Sequence, residues 1–360
     1  MNPYALWTWP WMSSIELYQR LLDSLGEASG TAGAAEDEAP GESEIEWLTP
    51  NSVRLELDAL RLREYSSAKE AESPLLVVAP RSLHDAGFLD LAPGHSLVAT
   101  LKSNGCDRVF LVEWKRATQA MRDRGIDSQL ALLNVAIDEI GPPVDLVGLC
   151  QGGWLSLVYA ARFPGKVRKL VLAAAPIDTQ AARSALAAPG GPLNEVILEQ
   201  LLRLGDGLVL GRHVSRLWPG QADESSRLLE TLQFSAAPAT PEERELVEKF
   251  ERWDHRMLDL PGAYYRQVAD WLYGENRLVA GTFPALGRAV DLGALRCPLF
   301  LLAGAEDTVV PPAQLFALVS HVAADVEIET ALAPCCHLAL FMGRRTLAEE
   351  WPRIAGWLAK

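Results

Sequence analysis

Gly148-Leu149-Cys150-Gln151-Gly152 sets a thiol between two glycines, directly after the apolar run Val144 to Val147 and directly before the apolar stretch Trp154 to Ala161. A strand that ends in Gly-x-nucleophile-x-Gly and turns at once into a helix is a nucleophile elbow. Such a turn holds the nucleophile on a strained backbone. Gly148 and Gly152 are needed because a side chain at either position would collide with neighbouring strand or helix. The chemistry expected of Cys150 is acyl transfer, since a thiolate exchanges acyl groups between thioesters with little thermodynamic loss and can pass them to an alcohol instead of to water.

A thiol needs a base, and the base needs an acid. On an elbow of this kind the chain order is nucleophile, acid, base, with the last two on loops after late strands. Phe300 to Pro312 reads as a strand, a turn carrying two carboxylates and a Pro-Pro stop, and Asp307 sits where the acid belongs, with Glu306 as the competing choice. His337 is the only histidine in the last strand-to-helix connection, after the expected strand Val326 to Leu332. The backbone N–H of Gln151 is expected to form half of an oxyanion hole, and an N–H of Arg81 or Ser82 the other half.

Taken singly, each residue has a plainer explanation. A buried cysteine is more often an inert small hydrophobe, Asp307 a turn carboxylate and His337 a satisfied surface histidine. Their joint order and spacing is what argues for a triad of Cys150, His337 and Asp307. His84, His95, His213, His255 and His321 are read as ordinary structural histidines. Cys335-Cys336-His337 is not read as a metal site, because adjacent cysteines seldom ligate one ion well and no second Cys/His pair lies at a useful spacing.

The elements that must position these groups are legible as pattern. Val53 to Leu57 and Leu60 to Tyr65 alternate as two paired strands with one wet face. Leu75 to Pro80, Arg108 to Trp114, Val144 to Leu149, Val167 to Ala175 and Pro298 to Ala303 are short, mostly continuous apolar runs separated by helix-like segments. Runs of that kind suit strands buried on both faces of a mainly parallel sheet, the layout of an α/β-hydrolase fold. Between Asp178 and Val290 the pattern turns helical (194–204, 212–218, 224–232, 241–250, 262–273), as expected of a lid over the site. The organisation read from this is an aromatic and amphipathic helical segment over 1–26, an acidic flexible linker over 27–50, a core over 51–178, a helical cap over 179–290 and the rest of the core over 291–360.

Composition limits the partners. The chain has 360 residues, 49% hydrophobic content and a net charge of −14. That charge argues against nucleic acid or an anionic membrane surface as the main partner. Five scattered cysteines and no secretory signal argue against a disulfide framework and for a reducing, cytoplasmic setting. No apolar run approaches the roughly 20 residues of a transmembrane helix.

From about Leu75 to the end, the sequence resembles the polyhydroxyalkanoate synthases and the intracellular polyhydroxyalkanoate depolymerases related to them. The resemblance is carried by Phe88 to Val98, by Val109 to Trp114 with its terminal tryptophan, by the elbow Val147 to Gly153, by Glu275-Asn276-Arg277-Leu278-Val279, and by Gly287 to Leu292 followed by Cys297-Pro298. It implies that Cys150 accepts a 3-hydroxyacyl group from coenzyme A, that His337 activates the thiol and the incoming hydroxyl, and that Asp307 supports His337. No resident cofactor is implied, coenzyme A entering only as part of the acyl substrate. A polyester substrate, a second subunit or a homodimer, and a place at polyester granules are implied as well. Departures keep two alternatives open. Cys335-Cys336 stands where the family has Gly-Gly or Ser-Gly before the base, Asp127-Ser128-Gln129 lacks the family's tyrosine, and Arg81-Ser82-Leu83-His84 replaces an aromatic segment. A depolymerase, thioesterase or esterase could use the same triad, and a non-catalytic granule-associated or partner-binding protein could keep it as a relic.

Overall fold

The computed structural model describes residues 45–66, 73–188, 191–214, 224–234 and 238–360. The aromatic segment over 1–26, most of the acidic linker and the end of the expected helix over 212–218 lie outside the described residues. Residues 45–50 of the linker lie against the core, where Thr49 N–H and Oγ1 donate to the Asp90 carboxylate at 2.8 Å each.

Eight strands build the main sheet: β1 (Ser52–Glu56), β2 (Leu60–Glu64), β3 (Leu75–Val78), β4 (Val109–Trp114), β5 (Val144–Leu149), β6 (Val167–Ala173), β7 (Leu299–Gly304) and β8 (Ile328–Ala333). Their order across the sheet is β1-β2-β4-β3-β5-β6-β7-β8. The hairpin read from alternation is present, with Ser52 opposite Glu64 and Glu56 opposite Arg61. It joins the rest antiparallel through β2 and β4, and every further pairing is parallel. The fold expected from the sequence is the one found.

Continuous apolar runs became central strands because both faces are covered. Every residue of β4 and β5 is buried, including Glu113 and Asp145. Those two carboxylates persist there because Arg63 Nε lies 2.5 Å from Glu113 and Arg168 Nε lies 2.8 Å from Asp145. Helix α1 (Ile126–Ile140) buries Ile126, Leu130, Leu133, Ile137 and Ile140 in the main core at helical spacing. Helix α2 (Gln151–Arg162) is buried nearly throughout.

The cap between β6 and β7 is mainly helical, as expected: α3 (Glu195–Leu204), α4 (Glu224–Leu232), α5 (Pro241–His255) and α6 (Gly262–Gln267), which runs into a π-helical turn over Val268–Gly274. Helix α5 starts at a capping box of Thr240 and Glu243 and continues five residues past the expected end at Phe250. Two short ladders were not foreseen, Leu208–Val209 with Leu260–Pro261 and Pro284–Ala285 with Arg288–Ala289. Two-residue strands are too short to show a period.

A seam fastens the end of α5 to the loop after β3. Leu258 N–H donates to Leu83 O at 2.5 Å, and Trp253 Nε1 donates to Asp85 O at 3.1 Å. Arg256 Nε stands 3.0 Å from Asp85 Oδ2 as an ion pair without hydrogen-bond alignment. Trp253, 1% exposed, packs on His84 and Phe88 at ring distances of 4.6 and 5.3 Å. Among the described residues no helix is long and apolar enough to cross a membrane.

Candidate active site

Cys150 lies between β5 and α2 with φ 48° and ψ −115°, in a region that side chains other than glycine rarely adopt. Its N–H donates to Ala173 O at 2.9 Å, tying the turn to β6. The flanking glycines are required by close approach. A Cβ on Gly148 would sit 2.7 Å from Gly153 Cα, and one on Gly152 would sit 2.3 Å from Val78 O and 2.6 Å from Ala79 O. The strain is held in place by packing on both sides of the turn.

Asp307 follows β7 and His337 follows β8, so the fold brings both to the end of the sheet where β5 delivers Cys150. Asp307 Oδ2 stands 2.7 Å from His337 Nδ1. Its other oxygen accepts the N–H groups of Val309 at 2.9 Å and Val310 at 2.8 Å, which fixes the carboxylate in a fully buried pocket. Glu306, the competing carboxylate, is exposed, and Asp307 alone meets the histidine. Burial works to lower the pKa of His337, but the Asp307 charge, the Cys150 thiolate and hydrogen bonds to both outweigh it and hold the imidazole well above its ordinary range. The three residues singled out in the sequence are therefore brought together.

The Gln151 N–H is the first of α2, where an amide has no intrahelical acceptor. Arg81 and Ser82 border the same pocket as Cys150, Gln151 and His337. The Arg81 side chain turns away to donate to Lys115 O at 2.6 Å and lies over the Trp114 ring, and burial lowers its pKa to about 10. Its carbonyl accepts from Tyr264 Oη at 3.1 Å, which pins the loop to the cap.

Residues that sequence reasoning missed form the pocket wall. Leu83, His84, Phe88, Leu193, Trp253, Tyr264, Tyr265, Val268 and Phe341 all face it. His84, read as an ordinary histidine, is paired with Asp254 at 3.2 Å beside that wall. Only the tertiary docking of the cap assembles these positions, and no local spacing announces it. His95 does what a structural histidine should, bonding Met342 O through Nδ1 at 2.8 Å. Among the described residues no three His, Cys, Asp or Glu side chains gather as a metal cage.

Comparison with solved structures supports the class that the sheet and elbow define, the α/β-hydrolase fold. The monoacylglycerol lipase of Paleococcus ferrophilus superposes with a TM-score of 0.53 at 17% identity, over 83% of this chain and 98% of that one. The bromoperoxidase of Bacillus anthracis gives 0.51 at 15% identity, over 86% and 99%. Within that fold, the chain belongs to the family described as a protein of unknown function, DUF3141, whose model matches residues 50–333. Its similarity to polyester polymerases, read above from motifs, holds along nearly its whole length. It is 27% identical over 368 residues to the poly(3-hydroxyalkanoate) polymerase subunit PhaC of Synechocystis sp., covering 98% of this chain and 96% of that protein. With the subunit of the same description from Haloferax mediterranei it shares 26% over 376 residues, covering 96% and 71%.

Proposed function

We propose that this protein transfers acyl groups through a covalent thioester on Cys150, and that 3-hydroxyacyl groups pass from coenzyme A thioesters to a growing polyester. The observation that carries the proposal is a thiol on a strained elbow that shares one pocket with a histidine whose Nδ1 is held 2.7 Å from a buried aspartate. In the first half-reaction the Cys150 proton passes to His337 and the thiolate attacks the carbonyl carbon of the thioester. The oxyanion is held by the Gln151 N–H and by an N–H of the Arg81-Ser82 loop; one such donor is worth about 10²–10³ in rate. Collapse breaks the bond to the coenzyme A sulfur, which leaves with the proton from His337. In the second half-reaction His337 takes the proton of an incoming hydroxyl, whose oxygen displaces Cys150. A polyester end as that hydroxyl gives synthesis, and water gives hydrolysis.

The test supplies purified protein with 3-hydroxybutyryl-coenzyme A and follows free thiol, with Cys150→Ala as control. Insoluble polyester is the expected product. Free 3-hydroxybutyrate would instead make this a thioesterase or depolymerase on the same scaffold. Thiol release unchanged in Cys150→Ala would overturn the covalent mechanism. Rate per protein that rises with protein concentration would favour a homodimer over the second subunit that the resemblance equally implies.

A further inference from the structure

An enzyme that must recognise a hydroxyl on its substrate has to present a polar group to it, and that group must lack a partner of its own until the substrate arrives. Such a site rejects the analogue without the hydroxyl strongly, because its buried polar group is then left unpaired, whereas an apolar wall discriminates little. The pocket over Cys150 has the second character. Its surface is made mostly by Leu83, Phe88, Leu193, Trp253, Val268 and Phe341.

Most of the polar side chains in the wall are already occupied by the protein. Tyr264 Oη donates to Arg81 O at 3.1 Å, and Tyr265 Oη to Pro192 O at 3.4 Å. His84 Nε2 is paired with Asp254 at 3.2 Å. Gln151 is engaged at both ends, its Oε1 accepting from Trp154 Nε1 at 2.6 Å and its Nε2 donating to Tyr273 Oη at 3.5 Å. Arg81 donates to Lys115 O through Nη1, and its Nε and Nη2 have no hydrogen-bond partner but also no accessible surface, so they present nothing to a molecule in the pocket. Among the described residues of the wall, Ser82 differs from Arg81 in being reachable, a half-exposed hydroxyl for which no hydrogen bond is seen.

Resting on the thioester reading above, we infer that this site selects its acyl group by hydrocarbon contact and not through a 3-hydroxyl, so that it also accepts acyl groups that lack one. The step is the same and balances in the same way. Cys150 Sγ bonds to the acyl carbon, the bond to the coenzyme A sulfur breaks, and the departing thiolate takes the proton held on His337. What differs is the outcome. A plain acyl group carries no hydroxyl to receive the next unit, so on a polymer-forming enzyme it leaves to water or to an alcohol as a chain end.

The full-length protein is given hexanoyl-coenzyme A and 3-hydroxyhexanoyl-coenzyme A in parallel, with butyryl and octanoyl thioesters to set the dependence on length, and thiol release is measured. The expected kcat/KM values for the two six-carbon thioesters lie within about tenfold of each other, and those of the plain series rise about fourfold per added methylene. Ser82→Ala is expected to leave the hydroxyl-to-plain ratio unchanged. A preference above about 100-fold for the hydroxylated thioester, a flat response to chain length, or a ratio that moves about tenfold in Ser82→Ala each overturns the inference while leaving the acyl-transfer reading intact. Release from none of the thioesters overturns that reading, and the inference with it.

Discussion

The contact between Asp307 and His337 sets this histidine apart from a surface group and suits it to the proposed role of base. A buried carboxylate already satisfied by two backbone N–H groups leaves one oxygen for the imidazole, which fixes both the tautomer and the ring. Asp307→Asn removes the largest influence raising the His337 pKa, so the imidazole should titrate lower, as read from its NMR shift against pH. The sign for stability follows. A histidine with a raised folded-state pKa contributes stability that is whole below about pH 6.5 and is lost as pH rises through the raised value. The variant should lose that pH-dependent part and about 10²–10⁴ in kcat, whereas Glu306→Gln should change kcat little. A larger loss in Glu306→Gln would contradict the geometry.

Elements show which parts of this structure are written locally and which are not. The strands around the elbow are readable because each is a mostly apolar run bounded by turns, and the proposed triad is readable because its members sit at the ends of β5, β7 and β8 in a fixed order. The pocket wall was not readable. Trp253 lies on α5 in a helical pattern that says only which face is buried, and nothing nearby in sequence says that it will rest on His84 and Phe88. The same applies to Tyr264, whose hydroxyl reaches a carbonyl 183 positions away. Trp253→Ala empties the centre of the seam and should cost about 3–5 kcal/mol, checked as a lowered midpoint of denaturant unfolding. A change below about 1 kcal/mol would mean that the cap does not depend on this contact.

For the molecule as a whole, the five thiols compete for the same reagents, and their environments separate them. Burial pushes Cys297 and Cys335 up to about 11, and raises Cys336 as well. Their thiolates are scarce at neutral pH, and the thiolate is the reactive form. Cys150, beside His337 and bordering the pocket, should therefore react ahead of these three with substoichiometric iodoacetamide at pH 7, as followed by peptide mass mapping. His337→Ala should remove that advantage, and equal labelling of all four would be incompatible with an activated nucleophile.

The seam also binds two events into one. The loop over Arg81 to Asp85, which borders the thiol, is held at Leu83 by Leu258 and at Asp85 by Trp253 and Arg256. Lifting that edge of the cap would strip these partners from the loop at the moment water gained entry. An opening of that kind would leave an acyl thioester in bulk solvent only after the backbone proposed to stabilise its attack had lost the partners that hold it.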